Sequence, residues 1–169
     1  MSLVGRSVGF APVVDARTRI LILGSLPGDV SLKAAQYYAH PRNGFWPLMG
    51  GLLGEALPAL SYEDRLDRLK ARGVGLWDVI ASAERSGSLD AAIRSPEAAD
   101  LHSLAASLPE LRAVAFNGAL AATREPWFRD RGFRTYRLPS TSPAYAALSR
   151  DRKLAAWQVL AVELSDHSR

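Results

Sequence analysis

Leu21-Ile22-Leu23-Gly24-Ser25-Leu26-Pro27-Gly28-Asp29, followed closely by Tyr37-Tyr38-Ala39-His40-Pro41-Arg42-Asn43-Gly44-Phe45-Trp46, decides how the rest of the chain is read. The apolar run predicts a buried strand that breaks into a tight Gly/Pro loop. The segment after it supplies aromatics, an amide, a guanidinium and an imidazole within a few turns of chain. A rigid backbone edge, a stacking face and a few placed polar groups are what a pocket for a flat, polar, uncharged ring requires, and a nucleobase is such a ring.

The same alternation continues outward. Arg19 to Leu23 and Val74 to Ile80 predict buried strands, and Leu111 to Phe116 and Phe133 to Leu138 a third and a fourth strand. Helices are expected between them. One is capped by Ser31 and runs to Tyr38; one covers Phe45 to Leu53. A third opens at Ser61-Tyr62-Glu63-Asp64 and ends at Gly73. Ser95-Pro96-Glu97 predicts a start for a helix to about Ser107. An Ala-rich helix follows Asn117-Gly118, and a final amphipathic helix spans Asp151 to Leu164. Residues 1–17 read as an extended lead-in and 81–94 as loop with some helix. Strands alternating with helices predict an α/β fold with a mostly parallel sheet covered on both faces. Ligands of such sheets sit at the carboxyl ends of the strands. Here those ends carry Gly24-Ser25, Asp78, Asn117-Gly118 and Ser140 to Ser142, so four strands deliver polar groups to one side.

Composition narrows the classes. At 169 residues a single domain spanning 1–169 is expected, with a full hydrophobic core. The absence of cysteine excludes disulfides, cysteine–zinc sites and cysteine-bound iron–sulfur clusters. His40, His102 and His167 have no metal spacing. No apolar run reaches membrane-spanning length, and the N-terminus lacks a signal-peptide core, so a cytoplasmic, nucleoid-associated protein of bacterial type is expected. A net charge of +4, carried mostly by arginine, suits a polyanionic partner, and equally suits a GC-rich genome.

Each motif has a plain and a chemical reading. Gly24 to Gly28 is either a turn or a loop that lets a ligand approach closely; no Gly-Lys-Ser/Thr follows, so it is not a phosphate loop. Trp46 is best explained as core, whereas Asn43-Gly44 in a turn is poorly explained by packing. Asp78 at the end of a buried strand either caps the next turn or serves a site, since a buried carboxylate is costly unless partnered. Pro139-Ser140-Thr141-Ser142-Pro143-Ala144-Tyr145 is a plain loop or a grip on phosphate through hydroxyls and backbone N–H groups. A serine nucleophile is disfavoured, because no Gly-x-Ser-x-Gly elbow is present.

Taken together, Leu-Ile-Leu-Gly-Ser-Leu-Pro-Gly (21–28), Tyr-Tyr-Ala-His-Pro-Arg-Asn-Gly-Phe-Trp (37–46), Gly-Leu-Trp-Asp-Val-Ile (75–80), Phe-Asn-Gly (116–118) and Ser-Thr-Ser-Pro-Ala (140–144) resemble the uracil-DNA glycosylase superfamily, nearest to its hypoxanthine/deoxyinosine branch. The second segment is also similar to one in the mismatch-specific uracil/thymine glycosylases. The resemblance implies a three-layer α/β/α sandwich around a short, mostly parallel sheet of four or five strands. It implies hydrolysis of the N-glycosidic bond of a flipped, deaminated base. Phe45 matches the aromatic on which the base stacks, and Asp78 the position that reads it. Gly24, Ser25, Leu26, Pro27, Tyr38 and Asn117 complete the expected base site. Ser140, Thr141, Ser142, Pro143, Ala144 and Tyr145, with His40 and Arg42, form the expected DNA contact. Two positions depart from the pattern. Leu26 stands where many relatives carry the water-activating Asp or Asn, and Ser140 stands in place of a histidine. Asn43 is then expected to orient water, with Asp29 or Asp78 supplying negative charge near the sugar.

No metal or cofactor is expected, and the partner is DNA containing deaminated bases, acted on by a monomer away from any membrane. Two other classes fit the same residues: a non-catalytic module that binds damaged bases or free nucleobases, and a small esterase or phosphohydrolase using Ser140 to Ser142. Cleavage of a labelled uracil or hypoxanthine oligonucleotide separates them.

Overall fold

The computed structural model describes residues 5–165; the first four residues of the lead-in and His167 lie outside them. In chain order the strands are β1 (Arg6–Val8), β2 (Ile20–Gly24), β3 (Val74–Asp78), β4 (Ile80–Glu84), β5 (Arg94–Ala98), β6 (Ala113–Asn117) and β7 (Arg134–Leu138). The helices are α1 (Asp29–Ala34), α2 (Phe45–Leu53), α3 (Tyr62–Ala71), α4 (Leu101–Ala106), α5 (Ala119–Ala122), α6 (Glu125–Asp130), α7 (Arg150–Trp157) and α8 (Ala161–Ser165).

Four strands form a parallel sheet in the order β3-β2-β6-β7. β2 is central and buried at every residue, which is why its sequence is continuously apolar. Its side chains alternate between layers. Ile20 and Ile22 pack with Phe45, Met49, Leu69 and Trp157 from α2, α3 and α7. Leu21 and Leu23 pack with Leu101, Leu104, Ala121 and Phe128 from α4, α5 and α6. The expected three-layer α/β/α arrangement follows from this period of two. The chain passes from β2 to β3 on one side and later crosses back to β6 on the other, so the strand order reverses between β2 and β6, and the carboxyl ends there form the crevice where ligands of such sheets bind. Gly24, Asp78 and Asn117 stand at these ends.

Several expected boundaries shift for physical reasons. Ser31 lies inside α1, which begins after Gly28; its Oγ accepts a hydrogen bond from the Ala39 amide instead of capping the helix. The run Val74 to Ile80 is two strands. Val79 and Ile80 donate to the carbonyls of Gly24 and Ser25, and the chain then turns into a second, antiparallel sheet ordered β1-β4-β5. Residues 81–94, expected as loop, therefore contain most of β4. Ser95-Pro96-Glu97 is not a helix start but part of β5. That outer strand is exposed throughout and tolerates a proline. The helix begins five residues later, where Asp100 Oδ1 accepts from the Ser103 amide at 3.1 Å. The final helix is broken by a 3-10 turn, Gln158–Leu160, between α7 and α8. Ser61 caps α3 as expected, accepting from the Asp64 amide.

α8 is pinned to β7 by Glu163, which is 4% exposed. Its carboxylate accepts from Arg134 Nη2 at 2.7 Å and from the Tyr136 hydroxyl at 2.8 Å. These bonds, Arg134 foremost, hold the carboxyl below the usual glutamate range despite burial. A depressed pKa confers stability that is present above the unfolded pKa and is lost as pH falls through the folded one. Glu163→Gln is expected to cost about 1–2 kcal/mol at neutral pH, since Arg134 is half exposed and screened. The gap between variant and wild type should close in acid; denaturant melts across pH measure it, and a gap independent of pH would contradict this account.

Candidate active site

The crevice is built on Gly24. A Cβ at that position would stand 2.6 Å from Asp78 Oδ1 and 3.2 Å from the Tyr38 hydroxyl, so only glycine lets these groups meet over the strand end. Asp78 is 5% exposed, and its Oδ2 has no hydrogen-bond partner. The Tyr38 hydroxyl is likewise buried and makes no full hydrogen bond, with the Asn117 side chain near enough to favour its ionised form against burial. A buried polar atom without a protein partner is available to a ligand or to water. Burial raises the Asp78 carboxyl to about 7, with the Asp90 carboxylate adding to the rise and Arg85 opposing it. Burial likewise raises the Tyr38 hydroxyl, with Asp78 adding to it.

Tyr38 is held there at a cost. Its φ is +56°, in the left-handed region that non-glycine residues seldom occupy, worth roughly 1–3 kcal/mol of strain and typical of functional sites. The turn is fixed from several sides. Trp46 Nε1 donates to the Tyr37 carbonyl at 3.0 Å, the Tyr37 amide donates to the Tyr62 hydroxyl, and Ser31 takes the Ala39 amide. The Tyr38 ring lies on Phe45 with centroids 4.0 Å apart and planes 25° from parallel. Phe45 itself is fully buried. Covered by Tyr38, it presents no exposed face for the expected stacking, and Tyr38 is the ring that lies over it.

Asn43 sits between this turn and α2. Its Oδ1 accepts from the Phe45 amide at 3.0 Å, which fixes the side-chain amide and leaves the second lone pair and the NH2 group for other partners. His40 accepts from the Arg42 amide through Nδ1, and its carbonyl takes the Asn43 amide. The Gly44 amide donates to the Thr141 carbonyl at 3.0 Å, docking the segment onto the Ser140 loop.

Several expected site side chains have partners within the fold. The Leu26 side chain is buried in the layer with Val79 and Ile80, which leaves only its backbone for a ligand. Ser25 donates to Asp90 Oδ1 at 2.7 Å. Asp29 is exposed on the first turn of α1, whereas Asp78 is buried at the end of β3. The amide of Asn117 is joined to Thr141: Nδ2 donates to Oγ1 at 3.0 Å, and Oδ1 accepts the Thr141 N–H at 2.9 Å. Thr141 is 2% exposed, so its side chain is an anchor and no part of the outer loop surface. The hydroxyls of Ser140 and Ser142 accept from the Ser142 and Ala144 amides and shape the loop. Pro143, Ala144, Tyr145 and Arg42 carry its partly or fully exposed surface.

One charged group was not anticipated. Arg85 is 5% exposed and donates through Nη2 to the Pro27 carbonyl, while its Nε and Nη1 have no partner. With Ser88 Oγ accepting from the Asp29 amide and Asp90 from Ser25, residues 85–90 clasp the Gly24–Asp29 loop from outside. Burial lowers the Arg85 guanidinium, and Asp90, Asp29 and Asp78 oppose that fall. The signal available in sequence was Arg85 at the end of an alternating run before Ser86-Gly87-Ser88, a hairpin pattern.

Among the described residues no group of three or more His, Asp or Glu side chains is placed to hold a metal, and no helix is long and apolar enough to cross a membrane. The crevice thus combines an aromatic face, a buried carboxyl group and an oriented amide at the ends of parallel strands.

Comparison with known proteins agrees with this geometry. Residues 11–161 match the family model of the uracil DNA glycosylase superfamily. A protein named hypoxanthine DNA glycosylase from Methanosarcina barkeri is 44% identical over 145 residues, covering 86% of this chain and 92% of that one. Its namesake from Methanosarcina acetivorans is 43% identical over 152 residues, covering 90% and 96%. A solution NMR structure of a protein provisionally named a uracil DNA glycosylase, also from Methanosarcina acetivorans, superposes with a TM-score of 0.86 at 41% identity over 95% of this chain and 99% of that one. The chain belongs to the uracil DNA glycosylase superfamily.

Proposed function

We propose that this chain is a monofunctional DNA glycosylase that hydrolyses the N-glycosidic bond of a flipped, deaminated base, hypoxanthine or uracil foremost, in base excision repair. The curated relatives at 43–44% identity carry a glycosylase name, and nothing favours a purely binding module. The observation that carries the site assignment is the pair of unbonded buried atoms, Asp78 Oδ2 and the Tyr38 hydroxyl, beside an aromatic face. The enzyme acts as a monomer in the cytoplasm, and residues 1–169 form one catalytic domain. Excision from a panel of oligonucleotides carrying uracil, hypoxanthine, xanthine or the four normal bases tests the reading; absence of abasic product from all of them would overturn it.

The chemistry follows from the groups present. Deamination replaces an amino donor with a carbonyl acceptor on cytosine and adenine. Neutral Asp78 donates a hydrogen bond to that carbonyl, and an ionised Asp78 would favour the normal amine. As the bond to the sugar breaks, the base takes the electron pair and the sugar becomes oxocarbenium-like. A donor on the carbonyl oxygen stabilises the charge on the departing base. Asn43 holds water against the sugar through its free lone pair. Being uncharged, it activates water less than a carboxylate would.

Three outcomes are expected. Asn43→Ala should slow single-turnover excision by about 100-fold or more while duplex affinity moves little. Because Asn43 also accepts the Phe45 amide at the start of α2, a thermal melt of Asn43→Ala accompanies the assay and separates loss of water orientation from loss of folding. Nearly full excision by Asn43→Ala would remove it from the mechanism. Tyr38→Ala should weaken binding and excision by roughly 10- to 100-fold, the worth of a stacking face. An unchanged rate would leave stacking elsewhere. Hypoxanthine excision should fall as pH rises above about 7, where Asp78 ionises, and Asp78→Asn should flatten that limb. A wild-type profile flat from pH 6 to about 9 would mean that neutral Asp78 is not required.

A further inference from the structure

We propose that the cleft between the start of α7 and the Ser140–Tyr145 loop is a phosphodiester site, in which Lys153 and Arg150 hold a backbone phosphate of the DNA strand that carries the damaged base. The proposal rests on the glycosylase reading and adds two residues from α7 to the DNA contact.

The cleft has a volume of about 250 Å3 and is lined by Arg42, Arg150 and Lys153 among apolar and loop residues, with no acidic side chain in its wall. Lys153 is unusual for a lysine. It is 9% exposed, although long cations are rarely buried without a counter-charge. Its Nζ donates to the Ser142 carbonyl at 3.1 Å and stands 5.3 Å from the centre of the Tyr145 ring. Among the described residues no carboxylate lies within ion-pair distance of Lys153, Arg150 or Arg42. Arg6, Arg68, Arg72, Arg129, Arg134 and Arg137 each have one. Three cations without a carboxylate partner gather at one cleft, and the part-buried Lys153 ammonium has a backbone carbonyl and a ring beside it but no counter-charge. Burial, with the Arg150 charge adding to it, pulls the Lys153 ammonium below the usual lysine range.

The position of the cleft selects the anion. Ser142, whose carbonyl Lys153 holds, follows Thr141, and Thr141 is joined both to Asn117 at the end of β6 and to Gly44 beside Asn43. An anion in the cleft is thus tied through one short loop to the crevice at Gly24. A ligand that carries both a base and phosphates at fixed spacing engages both sites, and Tyr145, 40% exposed on the rim, meets the same strand.

The salt dependence of substrate engagement tests this. Each phosphate contact on duplex DNA contributes about 0.9 to the slope of log affinity against log salt. Half-saturation for hypoxanthine excision would be measured between about 50 and 200 mM NaCl, with anisotropy on an undamaged duplex alongside. Lys153→Met and, independently, Arg150→Gln should each raise half-saturation several-fold and flatten the slope by about 0.9 in both assays. Lys33→Met, on α1, is the control and should leave the slope unchanged. Affinity lost at an unaltered slope would make Lys153 a brace for Ser142 and overturn the proposal, as would wild-type values in both variants. Inorganic phosphate that raises the melting temperature while the DNA slopes stay at the wild-type value would assign the cleft to a free anion instead. Failure of the glycosylase reading shows separately, as no excision by wild type, and the anisotropy slopes still decide on the cleft.

Discussion

The reciprocal pair of hydrogen bonds between Asn117 and Thr141 is the constraint on which the site depends. A buried primary amide has two N–H donors and an acceptor oxygen; one N–H of Asn117 meets the Thr141 hydroxyl and its oxygen takes the Thr141 backbone N–H. That fixes the Ser140 loop to the end of β6. The Thr141 carbonyl then takes the Gly44 amide and fixes the turn that carries Asn43. Segments distant in sequence are brought into register by one side chain. Because the pair is buried, breaking either bond leaves an unsatisfied polar atom, which costs more than the bond contributes when made.

A second clasp acts on the opposite side of Gly24. Arg85, Ser88 and Asp90 reach from the loop after β4 to Pro27, Asp29 and Ser25. The small antiparallel sheet therefore belongs to the site and is not an appendage, since it supplies the segment that keeps the Gly24–Asp29 loop from opening. Asp78 lies between the two clasps. Its position explains how a carboxyl group is kept away from water while an arginine close enough to be felt makes no bond to it.

What was legible in the sequence was what burial writes there. β2, β3 and β6 are apolar because helices cover both faces of their sheet, so these strands and the polar groups at their ends could be read directly, whereas β7, at the sheet edge, buries only Leu138. β5 is exposed at every residue and carries Ser95 at a φ of +48° beside Pro96, so neither periodicity nor propensity marks it as a strand. Arg85 looks in sequence like any surface arginine, because its burial comes from a loop folding over it. The placing of Tyr38 over Phe45 has a similar origin. Sequence names the members of an aromatic pair, but which lies underneath depends on the turn at Tyr38, and only coordinates reveal that φ is positive there.

Leu26 carries a consequence for how such enzymes change over time. At position 26 this chain has a leucine whose side chain has joined the hydrophobic layer with Val79 and Ile80. A carboxylate placed there by a single exchange would sink among aliphatic neighbours, where ionisation is strongly disfavoured. Several layer residues would have to change together before an acid at position 26 could turn out of the core, so single substitutions explore the Asn43 segment, which is only half buried, far more readily than this loop position.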